Sequence, residues 1–313
     1  MSATRIIIDT DPGQDDALAI LLALAERERL DVLGITTVAG NVPVELTTAN
    51  ALRLIDVAGR RDVGIYRGAS RPLARALTTA EFICGPDGLE GAGLPPPVGN
   101  ARDAHAVDFI VDTLTAAAER SITLCALAPL TNLALAFERD PTLASKVSRI
   151  VLMGGARDLG NVTPAAEFNF YVDPHAAHAV LTLGVPITMF SLHATHQAMA
   201  TRERVASITA LGTPVARCVT GMLSRHRPGA EEKFGVQAHP MHDPCVIAFA
   251  LWPEIFTTRD CYVAVETESA LTIGRSVIDW WGVLKRPANV QVIDRIDVDA
   301  LFARMSDSLG NLR

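Results

Sequence analysis

Four carboxylates, Asp9, Asp11, Asp15 and Asp16, crowd the segment RIIIDTDPGQDDALAI, at the end of an apolar run and the start of a helical pattern. Like charges this close repel by about several kcal/mol at a protein-like effective dielectric unless a cation lies between them. Oxygen ligands without a nearby Cys or His pair suit a hard ion, Ca2+ or Mg2+, better than Zn2+. A plainer alternative is that Asp15 and Asp16 only favour the positive end of the following helix. Pro12 and Gly13 suit a tight reversal that turns Asp11 towards Asp15 and Asp16. Asp9, within the strand end, is expected to face away from that cluster in a supporting role.

Four later segments place polar groups where strands are expected to end. VAGN ends on Asn41, either a sugar or base contact or a turn residue. LMGGARDLGNVTPAAEFNFYVDP carries Asn161, Glu167 and Asn169 after a Gly pair that permits close approach of a ligand. Three such side chains suit a polyol, although a well-bonded turn would need them too. In LCALAPLTNLALAF, Leu127 precedes Ala128 and Pro129, and a backbone carbonyl freed there is a good ligand for a hard ion. HPMHDPCVIAFAL sets His242 and Asp243 before Pro244 and an apolar helix, where Asp243 is either a metal carboxylate or an N-cap. His239, His226, His193 and His196 are expected to be surface or structural residues.

The positioning elements follow from periodicity. Arg5 to Ile8 reads as a buried strand and Gln14 to Glu26 as a helix. Leu33 to Val38 is the next strand and Val44 to Ala58 the next helix. The alternation continues through Ala106 to Ala118, Ile122 to Leu127, Leu130 to Phe137, Ile150 to Met153, His175 to Leu183 and Ile187 to Phe190. It predicts an α/β fold, an open, mostly parallel doubly wound sheet with helices on both faces. Such sheets bind ligands at the carboxyl ends of their strands, where the acids lie. A strand is expected near Cys261 to Glu266 and a helix near Val298 to Leu309. No linker or repeat divides the chain, so residues 1–313 are expected to form a single domain. The helical, polar stretch near 201–240, with RHRPGAEEKFG and its His226, is expected to be a mobile lid.

Composition narrows the partners. The chain of 313 residues is 49% hydrophobic and 20% charged, with 28 basic against 35 acidic residues and a net charge of -7. That balance argues against polymeric nucleic acid, whose binding depends on Lys and Arg. Five cysteines without a CxxC pair, Cys84, Cys125, Cys218, Cys245 and Cys261, fit reduced thiols and a cytoplasmic location. Neither a signal-peptide core nor a membrane-length apolar run is evident, so no membrane partner is expected.

Taken together, DTDPGQDD (Asp9 to Asp16), VAGN (Val38 to Asn41), APLTN (Ala128 to Asn132), LMGG (Leu152 to Gly155), AEFN (Ala166 to Asn169) and MHDPC (Met241 to Cys245) resemble the inosine-uridine-preferring nucleoside hydrolases, in the family's order and over nearly the whole chain. The resemblance implies hydrolysis of the N-glycosidic bond of a small ribonucleoside, with Ca2+ held by Asp11, Asp16, Asp243 and the Leu127 carbonyl. It implies ribose contacts from Asp15, Asn41, Asn161, Glu167 and Asn169. It makes Asp11 the general base for the attacking water and His242 the candidate acid for the departing base. Cys84, Met153, Phe168 and His226 complete the candidate substrate-binding set, and a homodimer or homotetramer is implied.

The chemistry of the residues agrees. A ribosyl C–N bond breaks through an oxocarbenium-like transition state, which needs a positioned water, a carboxylate base and relief of charge on the leaving group. Direct attack by water inverts the anomeric centre. One departure concerns the base: CGPDGLEG carries Cys84 where many members have a histidine, and Met222 to Met241 lacks the family's tyrosines. Two other classes compete. A catalytically altered ribose- or nucleoside-binding protein would keep the pocket without turnover. A haloacid-dehalogenase-like phosphatase would use Asp9-x-Asp11 but leave Asp15, Asp16 and the HDP segment unexplained.

Overall fold

The computed structural model describes residues 3–224, 231–232 and 235–312. Apolar β-rich runs form a nine-stranded sheet, in which β1 is Thr4–Thr10, β2 Leu30–Thr37, β3 Ile65–Arg67, β4 Ile122–Ala126, β5 Val147–Met153 and β6 Ile187–Phe190. The C-terminal third adds β9 (Phe256–Val265), β10 (Ser276–Asp279) and β11 (Val290–Ile296), after a small ribbon of β7 (Met199–Ala200) and β8 (His239–Pro240). The strand order is β10-β9-β11-β6-β5-β4-β1-β2-β3. From β3 to β11 neighbouring strands are parallel, while β9 pairs antiparallel with both β11 and β10.

Alternation along β1 shows why both faces must be covered. Ile6 and Ile8 join one hydrophobic cluster and Ile7 the other. The first cluster includes the apolar positions of helices Gln14–Ala25, Pro214–Leu223, Pro244–Leu251 and Val298–Leu309; the second is built on Ala106–Thr115, Thr131–Arg139 and Pro174–Leu181. Strand β1 lies between β2 and β4, so the order reverses there, at the crevice expected in a doubly wound sheet.

In the stretch expected to form a lid, helices Arg202–Thr209 and Pro214–Leu223 bury Val205, Ile208, Val215, Val219 and Met222 in the first cluster. His226 lies outside the described residues. Among the described residues no helix is long and apolar enough to cross a membrane.

Candidate active site

Strand β1 ends at Thr10, and Asp11 to Gly13 turn the chain into the helix that starts at Gln14. Asp16, at the third helical position, folds its carboxylate back over this turn. Its Oδ2 accepts the Gly13 N–H at 3.1 Å, and its Oδ1 accepts the Thr10 hydroxyl at 2.6 Å and the Asp11 N–H at 3.2 Å. The VAGN turn beyond β2 closes over the same atoms. The Asn41 N–H donates to Asp11 Oδ2 at 2.6 Å, and Asn41 Nδ2 donates to the Asp11 carbonyl at 3.1 Å and to Asp16 Oδ2 at 3.2 Å. Gly40 permits this approach, because a Cβ there would sit 2.0 Å from Asp11 Oδ2. Asn41 is therefore a clamp on the acids rather than a bare turn residue.

Asp9 lies beneath the turn. It accepts from Thr36 Oγ1 at 2.6 Å and Asn132 Nδ2 at 2.8 Å, while its buried Oδ2 has no partner. Burial pushes its carboxyl up to about 7.

Asp243 comes from the far end of the chain, at the start of helix Pro244–Leu251, and makes no side-chain capping bond there. Oxygens of Asp15, Asp16 and Asp243 all lie within 4.8 Å of one another. Burial raises the Asp11 and Asp243 carboxyls well above the carboxylate range, and the neighbouring acids add to it; burial also raises Asp16. Three convergent carboxylates, two of them buried, fit a hard divalent ion. This convergence includes Asp15, which the resemblance assigned to the sugar, whereas Asp11 faces Asn41.

One cavity of about 210 Å3 gathers the other candidates. Asp11, Asp15, Asp16, Asn41, Cys84, Leu127, Met153, Asn161, Glu167, Phe168, Asn169, His242 and Asp243 all line it. Asn169 Nδ2 donates to the Leu127 carbonyl at 2.8 Å and to the Met153 carbonyl at 3.2 Å, tying the ends of β4 and β5 together. The Glu167 carboxylate caps the short helix Phe168–Val172, accepting the N–H groups of Asn169 at 2.9 Å, Phe170 at 3.1 Å and Gly155 at 2.9 Å. Burial nonetheless lifts its carboxyl to about 7. The Cys84 thiol points into helix Glu81–Cys84 and donates to the Ala80 carbonyl at 3.2 Å; burial pushes it up to about 12.

Several wall residues were missed from sequence. His239 is buried and lines the cavity, because β8 pairs with β7 and folds it inwards. Phe82, Ile83, Val162 and Leu223 add an apolar side. His196 stands beside His242, with ring centroids 5.6 Å apart.

The family model of the inosine-uridine preferring nucleoside hydrolases matches residues 6–303. The chain belongs to this family. It is a nucleoside hydrolase, an enzyme that hydrolyses ribonucleosides, and its mostly parallel sheet is the one seen in solved members. Similar proteins include an uncharacterized protein of Schizosaccharomyces pombe, 47% identical over 98% of this chain and 99% of its own length. The pyrimidine-specific ribonucleoside hydrolase RihA of Shewanella sp. (strain ANA-3) is 42% identical over 97% of this chain and 96% of its own. Among solved structures, the purine-preferring ribonucleoside hydrolase from Gardnerella vaginalis superposes with a TM-score of 0.90 at 30% identity, covering 99% of both chains. A plant nucleoside hydrolase gives 0.86 at 33% identity over 98% of both chains.

Proposed function

We propose that this nucleoside hydrolase cleaves the N-glycosidic bond of pyrimidine ribonucleosides with the help of Ca2+, releasing ribose and the free base. The observation that carries the proposal is the meeting of Asp15, Asp16 and Asp243 in the cavity that also holds Asp11, Asn161, Glu167 and Asn169. Asp16 and Asp243, with Asp11 and the Leu127 carbonyl, would hold the ion. When bound, Ca2+ would orient the attacking water, favour loss of its proton and grip the sugar diol.

The chain's own groups do the rest. Asp11 is the general base that takes the proton from water, its orientation fixed by the Asn41 N–H. Asp15, Asn41, Asn161, Glu167 and Asn169 bind the ribose hydroxyls and set its anomeric carbon for in-line attack. His242 donates a proton to the departing base. Met153, Phe168 and Cys84 border the substrate within a single domain.

The preference for pyrimidines is supported by relatives at 42% identity that are named pyrimidine-specific. The five free, buried cysteines support a cytoplasmic setting, and a homodimer or homotetramer is proposed by likeness to the family. A panel of uridine, cytidine, inosine, adenosine and nicotinamide riboside tests the activity. Ribose release from uridine and cytidine ahead of the purines, abolished by EDTA, restored by Ca2+ and lost in Asp11→Ala, is expected. Binding of ribosides without turnover would instead make the protein a nucleoside-binding module.

A further inference from the structure

We propose that Thr195 is a positioning residue for His242: it holds the ring through Nδ1 and thereby leaves Nε2 as the atom that exchanges a proton with the nucleobase. The inference rests on the reading of His242 as the leaving-group acid.

Three observations carry it. Thr195 Oγ1 lies 2.7 Å from His242 Nδ1, and Thr195 itself is fully buried at 0% exposure. The second is that both residues are anchored by backbone. Thr195 ends the short helix Leu192–Thr195 that follows β6, and a few residues on, Met199 pairs with Pro240 and Ala200 with His239 in the β7–β8 ribbon. The Met241 N–H donates to the Ala198 carbonyl at 2.8 Å, which brings His242 level with Thr195. Gln197 pins the helix end to β11, donating to the Asp294 carbonyl at 2.8 Å and accepting the Ile296 N–H at 3.2 Å.

The third observation concerns the hydroxyl proton. Thr195 Oγ1 has the Leu192 carbonyl 3.5 Å away, the back-bonding partner of a helical threonine. With its proton turned there, the oxygen presents a lone pair to Nδ1–H. A branched side chain with a restricted χ1 is suited to hold that direction.

The proton balance follows. The C1′–N bond breaks, its electron pair stays on the base nitrogen, and the Nε2 proton of the imidazolium passes to the base. The ring is left neutral, still donating Nδ1–H to Thr195, and the proton that Asp11 took from the attacking water is released to solvent while solvent supplies one to Nε2. Without the hydroxyl the ring can rotate or exchange tautomers, and the donor is misaimed for part of the time.

The test compares wild type, Thr195→Val, Thr195→Ser and His242→Ala on uridine, whose base needs a proton to leave, and on p-nitrophenyl riboside, whose leaving group does not. Thr195→Val should lower kcat on uridine by at least about 10-fold, with a much smaller loss on p-nitrophenyl riboside and little change in KM. Thr195→Ser should recover most of the lost activity. Adding Thr195→Val to His242→Ala should cost nothing further. Equal losses on both substrates, or a further loss in the double variant, overturn the positioning role. If wild type releases no ribose, or His242→Ala loses equally on both substrates, the functional reading itself fails. Imidazole nitrogen NMR of the wild-type protein gives an answer independent of variant folding: His242 should show one ring state with Nδ1 hydrogen-bonded, and a mixture of tautomers overturns the proposal.

Discussion

The Asn41 N–H donates to Asp11 Oδ2 at 2.6 Å while the same residue's Nδ2 reaches Asp16 Oδ2 at 3.2 Å, so one turn residue fixes two acids of the site. Asn41→Ala keeps the backbone donor and removes the side-chain bridge. A hydrogen bond to a charged group contributes about 1.5–3 kcal/mol, so kcat/KM should fall by roughly 10- to 100-fold with Asp11 still in place. A kinetic assay with uridine at saturating Ca2+ checks this; an unchanged kcat/KM would show that the bridge is dispensable.

Gly40 gives a steric version of the same test. A Cβ there would meet Asp11 Oδ2 at 2.0 Å and Pro129 Cδ at 3.1 Å. Gly40→Ala must push the carboxylate off the Asn41 N–H, and overpacking of this kind costs about 1–3 kcal/mol. Calorimetric titration should show weakened Ca2+ binding together with a lowered Tm. Gly99→Ala, whose added Cβ meets open space, serves as the control and should change neither.

Stability of the metal-free protein should depend on pH in a direction set by the buried acids. Asp9 rises from 3.8 to about 7 and Glu167 from 4.5 to about 7, and Asp11, Asp16 and Asp243 are raised as well. The folded state then holds protons that the unfolded state has released. Their contribution is complete below the unfolded values and is lost as pH rises towards 7. Ca2+ held by these carboxylates would need them ionised, so it should stabilise little near pH 5 and much more above about pH 7. Melting curves in EDTA and in excess Ca2+ at both ends of this window decide the matter. An equal Ca2+ shift at the two ends would count against carboxylate ligation.

The Cys84 thiol is held neutral by burial and donates to the Ala80 carbonyl. The thiolate is the reactive form. Mass spectrometry after brief iodoacetamide treatment of the folded protein should find Cys84 unmodified, and after denaturation alkylated. Rapid labelling in the folded state would place the thiol in the cavity as an exposed nucleophile.

Much of this site is legible in sequence because its acids sit in a short segment between two strongly patterned elements. Arg5 to Ile8 and Gln14 to Glu26 were expected within two residues of β1 and the helix Gln14–Ala25, and Asp11, Asp15 and Asp16 follow from where those end. Asn41, Leu127 and Asn169 could be named for the same reason, each standing just past a strand or in the Gly-pair loop. The edges of the sheet were not legible. Strand β3 has three residues and the other edge strand, β10, four, too few for a period, and β11, between β9 and β6, mixes charged and apolar positions. The β7–β8 ribbon has two residues per strand, and only tertiary pairing creates it. His239 was overlooked for that reason, since nothing local marks it as facing the cavity, and Thr195 because it is buried in a short helix behind His242.

The carboxylates of one cluster come from near opposite ends of the polypeptide, Asp15 and Asp16 behind the first strand and Asp243 behind the ribbon. A nascent chain that has not yet delivered Asp243 has an incomplete cage. Capture of a metal ion there would therefore be a late event in folding, and its affinity a gauge of whether the whole molecule, rather than its amino-terminal half, has been assembled.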